Sequence, residues 1–253
     1  MTTTTIPITR LVSVELRKMF STRSGFWLLV SIAVLTLVAA ASVVVLAPDS
    51  DVTYESFTRA SGFPMSLILP IIAILAVTSE WSQRSGLTTF TLVPSRGRVI
   101  GAKAIATLLV GVGSVALAFL VGAFGNVIGS ALAGVDTVWN ISVTMALQLV
   151  LFNLIGMLIG FTIGVVLRSS AAAIVGYFVA SFVLPGVLLL LAQVRPWFEE
   201  LQPWVDWNET QVALLEGAMD SAQEWAMLGS TTMIWIVVPL AVGLLTLRRS
   251  EVT

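Results

Sequence analysis

ISVTMALQLVLFNLIGMLIGFTIGVVL, residues 141–167, contains no Asp, Glu, Lys or Arg. A hydrocarbon core about 30 Å thick is crossed by roughly 20 helical residues, so this stretch is long enough to span a membrane. Because water is absent there, the backbone has to satisfy its own hydrogen bonds, which favours a helix. Five further charge-free runs lie at 27–46, 63–79, 104–133, 169–194 and 227–247. The sequence therefore predicts an all-α membrane protein with six transmembrane helices.

The charges between these runs separate by sign. The N-terminal segment, the C-terminal segment and the two connections on the same side hold eleven of the 13 basic residues and three of the 14 acidic ones. The remaining connections hold two basic and eleven acidic residues. Since basic connections stay in the cytoplasm, we expect both termini and the 80–103 connection to be cytoplasmic.

The composition excludes several kinds of chemistry. Hydrophobic residues make up 57% of the chain and charged residues 11%, and there is no His and no Cys. Zinc centres, His-ligated haem, disulfides and His-dependent nucleophiles are therefore excluded. The sequence also lacks the G-x-x-x-x-G-K-[ST] phosphate loop, so we expect no ATP hydrolysis by this chain and no enzymatic role. Charge-free spans also disfavour a proton-coupled pump, because such pumps carry buried ionisable residues.

The segment 6–22 has the pattern of an amphipathic helix, which is typical of a helix lying in the membrane interface. Glu15 falls on its apolar side, and Lys18 follows three positions later. We consider two interpretations of Glu15. It forms a local ion pair that reaches the polar surface, or it contacts a cytoplasmic loop or a partner.

Small and polar residues inside the spans predict helix packing. Glycines recur at every fourth residue of the fourth run, at Gly156, Gly160 and Gly164, which places them on one helix face. We expect this face to pack within the chain rather than against a second subunit. Intramembrane amides occur at Asn126, Gln148 and Asn153. They either form hydrogen bonds between helices or line a substrate path.

The external segment 195–226 is acidic and rich in Trp, which prefers the headgroup level. We predict two short helices in it. The first begins at Pro196, and the second follows Asn208 with Gln211 completing a capping box.

The connection 80–103 carries the most specific pattern of the chain. It reads Glu80, then Leu87-Thr88-Thr89, then Leu92-Val93-Pro94-Ser95-Arg96, and ends at Lys103. Together with the N-terminal helix and the six-span layout, this pattern resembles the membrane subunits of type-2 ABC exporters, the ABC-2-type permease family.

The resemblance implies that 1–253 is one permease domain of an exporter in the bacterial plasma membrane. A second permease, identical or homologous, and two copies of an ABC ATPase subunit would complete the transporter among membrane lipids, without nucleic acid. ATP and Mg²⁺ would bind in the ATPase. The 6–22 helix would be the elbow helix, and 80–103 would be the coupling loop.

The resemblance also implies roles for particular residues. Coupling to the ATPase would involve Glu80, Leu87, Thr88, Phe90, Pro94 and Arg96. The second and fifth spans would line the substrate path, with candidate residues Ser66, Pro70, Tyr177, Ser181 and Phe182.

Two other functions remain open. A non-transporting immunity or regulatory membrane protein would bind a peptide or a sensor partner through its outer segment. An intramembrane enzyme is disfavoured by the lack of His, Cys and in-span carboxylates.

Overall fold

The computed structural model describes residues 6–82 and 96–249, and in these two ranges the chain is helical without any strand. The long helices of the first part are α1 (Ile8–Ser21), α2 (Arg23–Leu46), α3 (Tyr54–Ser82), α4 (Arg96–Ala133) and α5 (Val143–Leu167). The second part contains α6 (Ser170–Phe178), α7 (Leu184–Val194), α8 (Pro196–Glu199), α9 (Gln202–Val205), α10 (Trp207–Glu216), α11 (Ala222–Thr232) and α12 (Val238–Arg249). A π-helical turn, Val179–Val183, joins α6 to α7, and another, Met233–Val237, joins α11 to α12.

Within the described residues six helical stretches are long and apolar enough to cross a membrane, which confirms the prediction of a multi-pass all-α protein. They are Arg23–Leu46, Tyr54–Ser79, Gly97–Ala133, Val143–Leu167, Ser170–Val194 and Ala222–Thr246. The second and third begin before the predicted 63–79 and 104–133, because each helix continues past the charged residues that were taken as its boundary. Lys103, assigned to the 80–103 connection, therefore lies inside α4.

Helix α3 is the centre of the bundle. In its most apolar stretch 56% of the residues are buried. The corresponding share is 11% in Ser170–Val194, which comprises α6, the π turn and α7. Residues Met65, Leu69 and Ala73 of α3 are fully buried and pack against Met157 and Phe161 of α5. This position brings α3 into contact with α2, α4 and α5.

The glycine face of α5 packs against a proline of α3. Helix α3 continues through Pro64 and Pro70. A Cβ at Gly160 would lie 2.7 Å from the Pro70 carbonyl oxygen, and a Cβ at Gly164 would lie 3.3 Å from the Cα of Ile74. Close approach of the two backbones thus depends on both glycines.

Helices α5 and α6 form a tight hairpin. Arg168 follows α5 with a φ of 54°, in the left-handed region, and the Ser169 side chain caps α6 by accepting from Ala172 N. The Arg168 guanidinium donates to Thr246 Oγ1 of α12 at 2.7 Å. The same turn therefore connects the fourth, fifth and sixth apolar helices.

The segment between the fifth and sixth apolar helices folds back onto α5. Its residues Leu214 and Met219 are buried against Leu151 and Phe152. The predicted helix start after Asn208 is wrong. Helix α10 begins at Trp207, because Asp206 is its N-cap residue and accepts from Asn208 N at 3.0 Å.

Candidate functional site

A cavity of about 230 Å³ lies between α3, α5, α6 and α10. Three of these helices belong to the apolar bundle, and α10 covers the cavity from the connecting segment. The lining residues are Phe63, Ser66, Leu67, Phe152, Asn153, Gly156, Tyr177, Ser181, Phe182, Trp207, Asn208 and Gln211. Aromatic rings and uncharged polar groups thus share its wall.

Four polar atoms on this lining are buried and have no hydrogen-bond partner among the described residues. They are Asn153 Oδ1, Trp207 Nε1, Asn208 Nδ2 and Gln211 Nε2. Asn153, Trp207 and Gln211 are each 5% exposed as whole residues. A buried polar group without a partner costs about 1–3 kcal/mol. These four atoms have almost no accessible surface, so none of them is exposed to the cavity.

The orientation of the Asn153 amide is fixed by its own helix. Its Nδ2 donates to the Leu149 carbonyl at 3.0 Å, and its Oδ1 has no hydrogen-bond partner among the described residues. Trp207 Nε1 can only donate. Asn153 Oδ1 is therefore an acceptor and Trp207 Nε1 is a donor.

Two serine hydroxyls on the lining already donate to their own helices. Ser66 Oγ donates to the Phe63 carbonyl and Ser181 Oγ to the Tyr177 carbonyl, both at 2.8 Å. Because each hydroxyl carries one hydrogen, both oxygens offer only their lone pairs to an occupant.

Helix α10 is held over the cavity near both of its ends. Trp235 Nε1 donates to the Val205 carbonyl at 2.8 Å, just before α10 begins. Arg59 of α3 donates to the Glu216 carbonyl at 3.0 Å, at the last residue of α10, and also pairs with Glu55 at 2.9 Å. A cation at a helix C-terminus interacts favourably with the helix dipole.

The structure brings together most of the residues that the sequence suggested for a substrate path. Ser66, Tyr177, Ser181 and Phe182 all line this cavity. Pro70 lies elsewhere, in contact with Gly160. Of the glycine face, only Gly156 reaches the cavity, and a Cβ there would meet no atom within 4 Å.

The sequence did not assign Trp207, Asn208 and Gln211 to the cavity. Trp207 and Asn208 lie four and three positions before Gln211, so both are neighbours of Gln211 on one side of α10. That spacing was visible in the sequence, but a surface helix and a cavity cover have the same pattern.

The other two intramembrane amides bond to connecting segments. Asn126 Nδ2 donates to the Val138 carbonyl at 2.9 Å, and Gln148 Oε1 accepts from Met219 N at 3.4 Å. They hold the connections against the bundle, whereas Asn153 lines the cavity.

A second polar centre joins α1 to the bundle. Glu15 Oε2 accepts from Lys103 Nζ of α4 at 2.8 Å, and Glu15 Oε1 accepts from Lys18 Nζ at 2.7 Å. Lys103 Nζ also donates to the Ala76 carbonyl of α3 at 2.9 Å. The side chain of Lys103 is 1% exposed, that of Glu15 is 9% exposed and that of Lys18 is 44% exposed. Both a local pair and a contact to a distant element are therefore present at Glu15.

Charge at this centre controls the protonation of Glu15. Burial raises the pKa of the carboxyl. The charges and hydrogen bonds of Lys103 and Lys18 together lower it by more than burial raises it, so the pKa lies below its ordinary value of 4.5. Glu15 is therefore ionised at neutral pH.

Most of the suggested coupling residues lie outside the described ranges 6–82 and 96–249. Leu87, Thr88, Phe90 and Pro94 lie outside the described residues. Glu80 lies in the last turn of α3 and Arg96 begins α4, and their side chains are outside the described part as well.

Neither a protein-family model nor a curated protein sequence matches the chain.

Proposed function

We propose that this chain is the permease subunit of an ATP-binding cassette exporter, with a separate ATPase as its motor. The observation that carries the proposal is the cavity beneath α10, which aromatic and uncharged polar residues line between apolar helices. The proposal also rests on the resemblance of the 80–103 pattern to ABC-2-type permeases.

The cluster around Glu15 supports a coupling role for the elements that flank residues 83–95. Helix α3 ends just before this connection and α4 begins just after it. Lys103 bonds to α3 and α1 from within α4, so the three helices meet at one buried ammonium. A displacement of the connection would thus be passed to α1 and to the bundle together.

In this proposal the α1 end of the molecule faces the cytoplasm, α1 is the elbow helix, and both termini are on that side. The sign of the charges supports this orientation, because basic residues concentrate on the cytoplasmic side of membrane proteins. The membrane is the bacterial plasma membrane. A second permease, identical or homologous, completes the transporter.

Affinity purification tests the proposal. The tagged full-length chain is recovered from native membranes in mild detergent, and co-purifying proteins are identified by mass spectrometry. We expect an ATPase with a phosphate loop to co-purify in about equal amount, and the purified chain without it to hydrolyse no ATP.

A pair of leucine substitutions makes the test specific. Leu87→Asp places a charge in the suggested coupling loop and should abolish ATPase recovery without lowering membrane expression. Leu201→Asp places the same charge at an exposed leucine, 42% accessible, in the segment beyond α7, and should leave recovery unchanged. Recovery of a sensor kinase or a peptide in place of an ATPase would refute the proposal and favour the regulatory alternative.

A further inference from the structure

We infer that an anionic phospholipid binds at α1, with an acyl chain in the groove between α1, α2 and α4 and its phosphate beside Arg17. Such binding goes beyond the proposed function, because it requires a membrane but neither an ATPase nor export.

The groove has a volume of about 440 Å³ and lies between the C-terminal half of α1 and the facing sides of α2 and α4. Its walls include Leu16 and Phe20 of α1, Leu29 and Ile32 of α2, and Leu109 and Leu117 of α4. Phe20 and Leu109 are 58% and 52% exposed, so the groove is open on its outer side. The α2 and α4 walls belong to stretches apolar enough to cross a membrane, which places acyl chains rather than water at the opening.

Unpaired basic side chains lie beside this groove. Arg17 precedes Phe20 by three positions, so the two are neighbours on the surface of α1. Arg10 lies two turns earlier on the same face as Arg17, and Arg23 begins α2. All three are exposed, and within residues 6–82 and 96–249 their side chains form no ion pair or hydrogen bond.

The acidic residue of α1 does not offset these charges. The side chain of Glu15 is 9% exposed and accepts from Lys103 Nζ at 2.8 Å and Lys18 Nζ at 2.7 Å. It is the only acidic residue among the first 48, which contain four basic ones. The exposed surface beside the groove is therefore positive.

An anionic phospholipid complements both parts of this surface. Its acyl chain matches the apolar groove and its phosphate matches the arginines. Basic clusters on an amphipathic helix beside a membrane span are typical of anionic-lipid binding. Arg10, Arg17, Lys18 and Arg23 form such a cluster at the α1–α2 corner.

Other occupants fit this surface less well. A water-soluble partner does not enter a groove that opens to acyl chains. A second copy joined by two-fold symmetry presents the same patch to itself, so its arginines would face those of the first copy. Like charges placed together across an interface repel, whereas a lipid phosphate neutralises them.

A single introduced cysteine allows the groove to be probed, since the natural chain has none. Gly113 lines the groove, and a Cβ there would meet no atom within 4 Å, so Gly113→Cys accepts a bimane fluorophore. Gly186→Cys is the matched control, because Gly186 is an exposed glycine of α7 with the same open surroundings. Each labelled full-length protein is reconstituted in phosphatidylcholine vesicles. Quenching is then measured as brominated phosphatidylglycerol or brominated phosphatidylcholine is added.

The ratio of the two quenching affinities gives the preference for the anionic lipid. One basic residue near a membrane surface strengthens this attraction by a factor of about five. We therefore expect phosphatidylglycerol to be preferred about fivefold or more at Gly113→Cys and the two lipids to be about equal at Gly186→Cys.

Substitutions of arginine locate the headgroup. In the Gly113→Cys background, Arg17→Gln should lower the preference about fivefold, whereas Arg17→Lys retains the charge and should retain most of the preference. Arg195→Gln removes an exposed arginine from the segment beyond α7 and should change nothing. Circular dichroism establishes that each variant is folded before reconstitution.

Three results would overturn the inference. They are equal quenching by both lipids at Gly113→Cys, a preference that Arg17→Gln leaves unchanged, and a labelled Gly113→Cys that neither lipid quenches, which would mean that protein covers the groove. A preference that Arg17→Gln lowers and Arg195→Gln does not supports it, even if no ATPase co-purifies and the export role fails.

Discussion

The buried contact between Glu15 and Lys103 should be worth far more than the equally short contact between Glu15 and Lys18. The two nitrogen–oxygen distances are 2.8 and 2.7 Å, so geometry does not distinguish them. Exposure does, because the Lys103 side chain is 1% exposed and the Lys18 side chain 44% exposed. One carboxylate therefore offers a matched comparison of a buried and a surface ion pair.

The magnitudes follow from that difference. Removing one member of a buried ion pair costs about 3–5 kcal/mol, whereas an exposed pair contributes about 0–1 kcal/mol. We expect Glu15→Gln to destabilise the protein by about 3 kcal/mol or more. The coupling energy of Glu15 with Lys103 should be about 2–3 kcal/mol, and that with Lys18 below about 1 kcal/mol.

The assay is a pair of double-mutant cycles. Glu15→Gln, Lys103→Met, Lys18→Met and the two double variants are unfolded by SDS titration in mixed micelles, and helix loss is followed by circular dichroism. The Lys103–Ala76 hydrogen bond is removed in both legs that carry Lys103→Met, so its contribution cancels from the coupling energy.

Equal coupling energies for the two lysines would refute the reasoning, because burial would then have no effect on the strength of the pair. Acid provides an independent check. The pKa of Glu15 is lowered in the folded protein, so its stabilising contribution is present above 4.5 and is lost as the pH falls through the folded value. Wild type should lose more stability than Glu15→Gln on acidification from neutral pH.

Two further predictions concern packing and orientation. Gly160→Ala should cost about 1–3 kcal/mol in the same SDS titration, because the new Cβ would lie 2.7 Å from the Pro70 carbonyl, whereas Gly156→Ala meets open space and should be neutral or stabilising. In intact cells, an impermeant maleimide should label Ser50→Cys but not Ser95→Cys, and the reverse pattern would exclude cytoplasmic termini.

The six apolar helices were predictable because the membrane imposes a length and excludes charge. The same rule misplaced the helix ends. Charge was used as a boundary at Lys103, yet α4 begins at Arg96 and keeps Lys103 buried against Glu15. A buried lysine is tolerated only with a partner, and that partner lies far away in the sequence, where no local pattern indicates it.

Lining residues on the second and fifth apolar helices were among those suggested from the sequence, whereas the α10 residues that cover the cavity were not. Ser66 and Ser181 were suggested as path residues by the resemblance alone, which assigns the path to the second and fifth spans. Trp207 was assigned to the headgroup level because of its residue type, although it is 5% exposed and covers the cavity. How a connecting segment folds back is determined by tertiary contacts such as Arg59 to Glu216, which sequence periodicity does not reveal.

The two-residue turn at Arg168 and Ser169 also restricts how the cavity can change size. With α5 and α6 joined so closely, and α12 attached to the same turn by Arg168, these helices share a common pivot at that end. Their far ends can separate by rotation about that turn or by bending of a helix. The π turn Val179–Val183 interrupts the regular hydrogen-bond ladder, as such turns do, and contains Ser181 and Phe182 of the cavity lining. Bending at this π turn would therefore move part of the cavity lining itself and change the shape of the cavity.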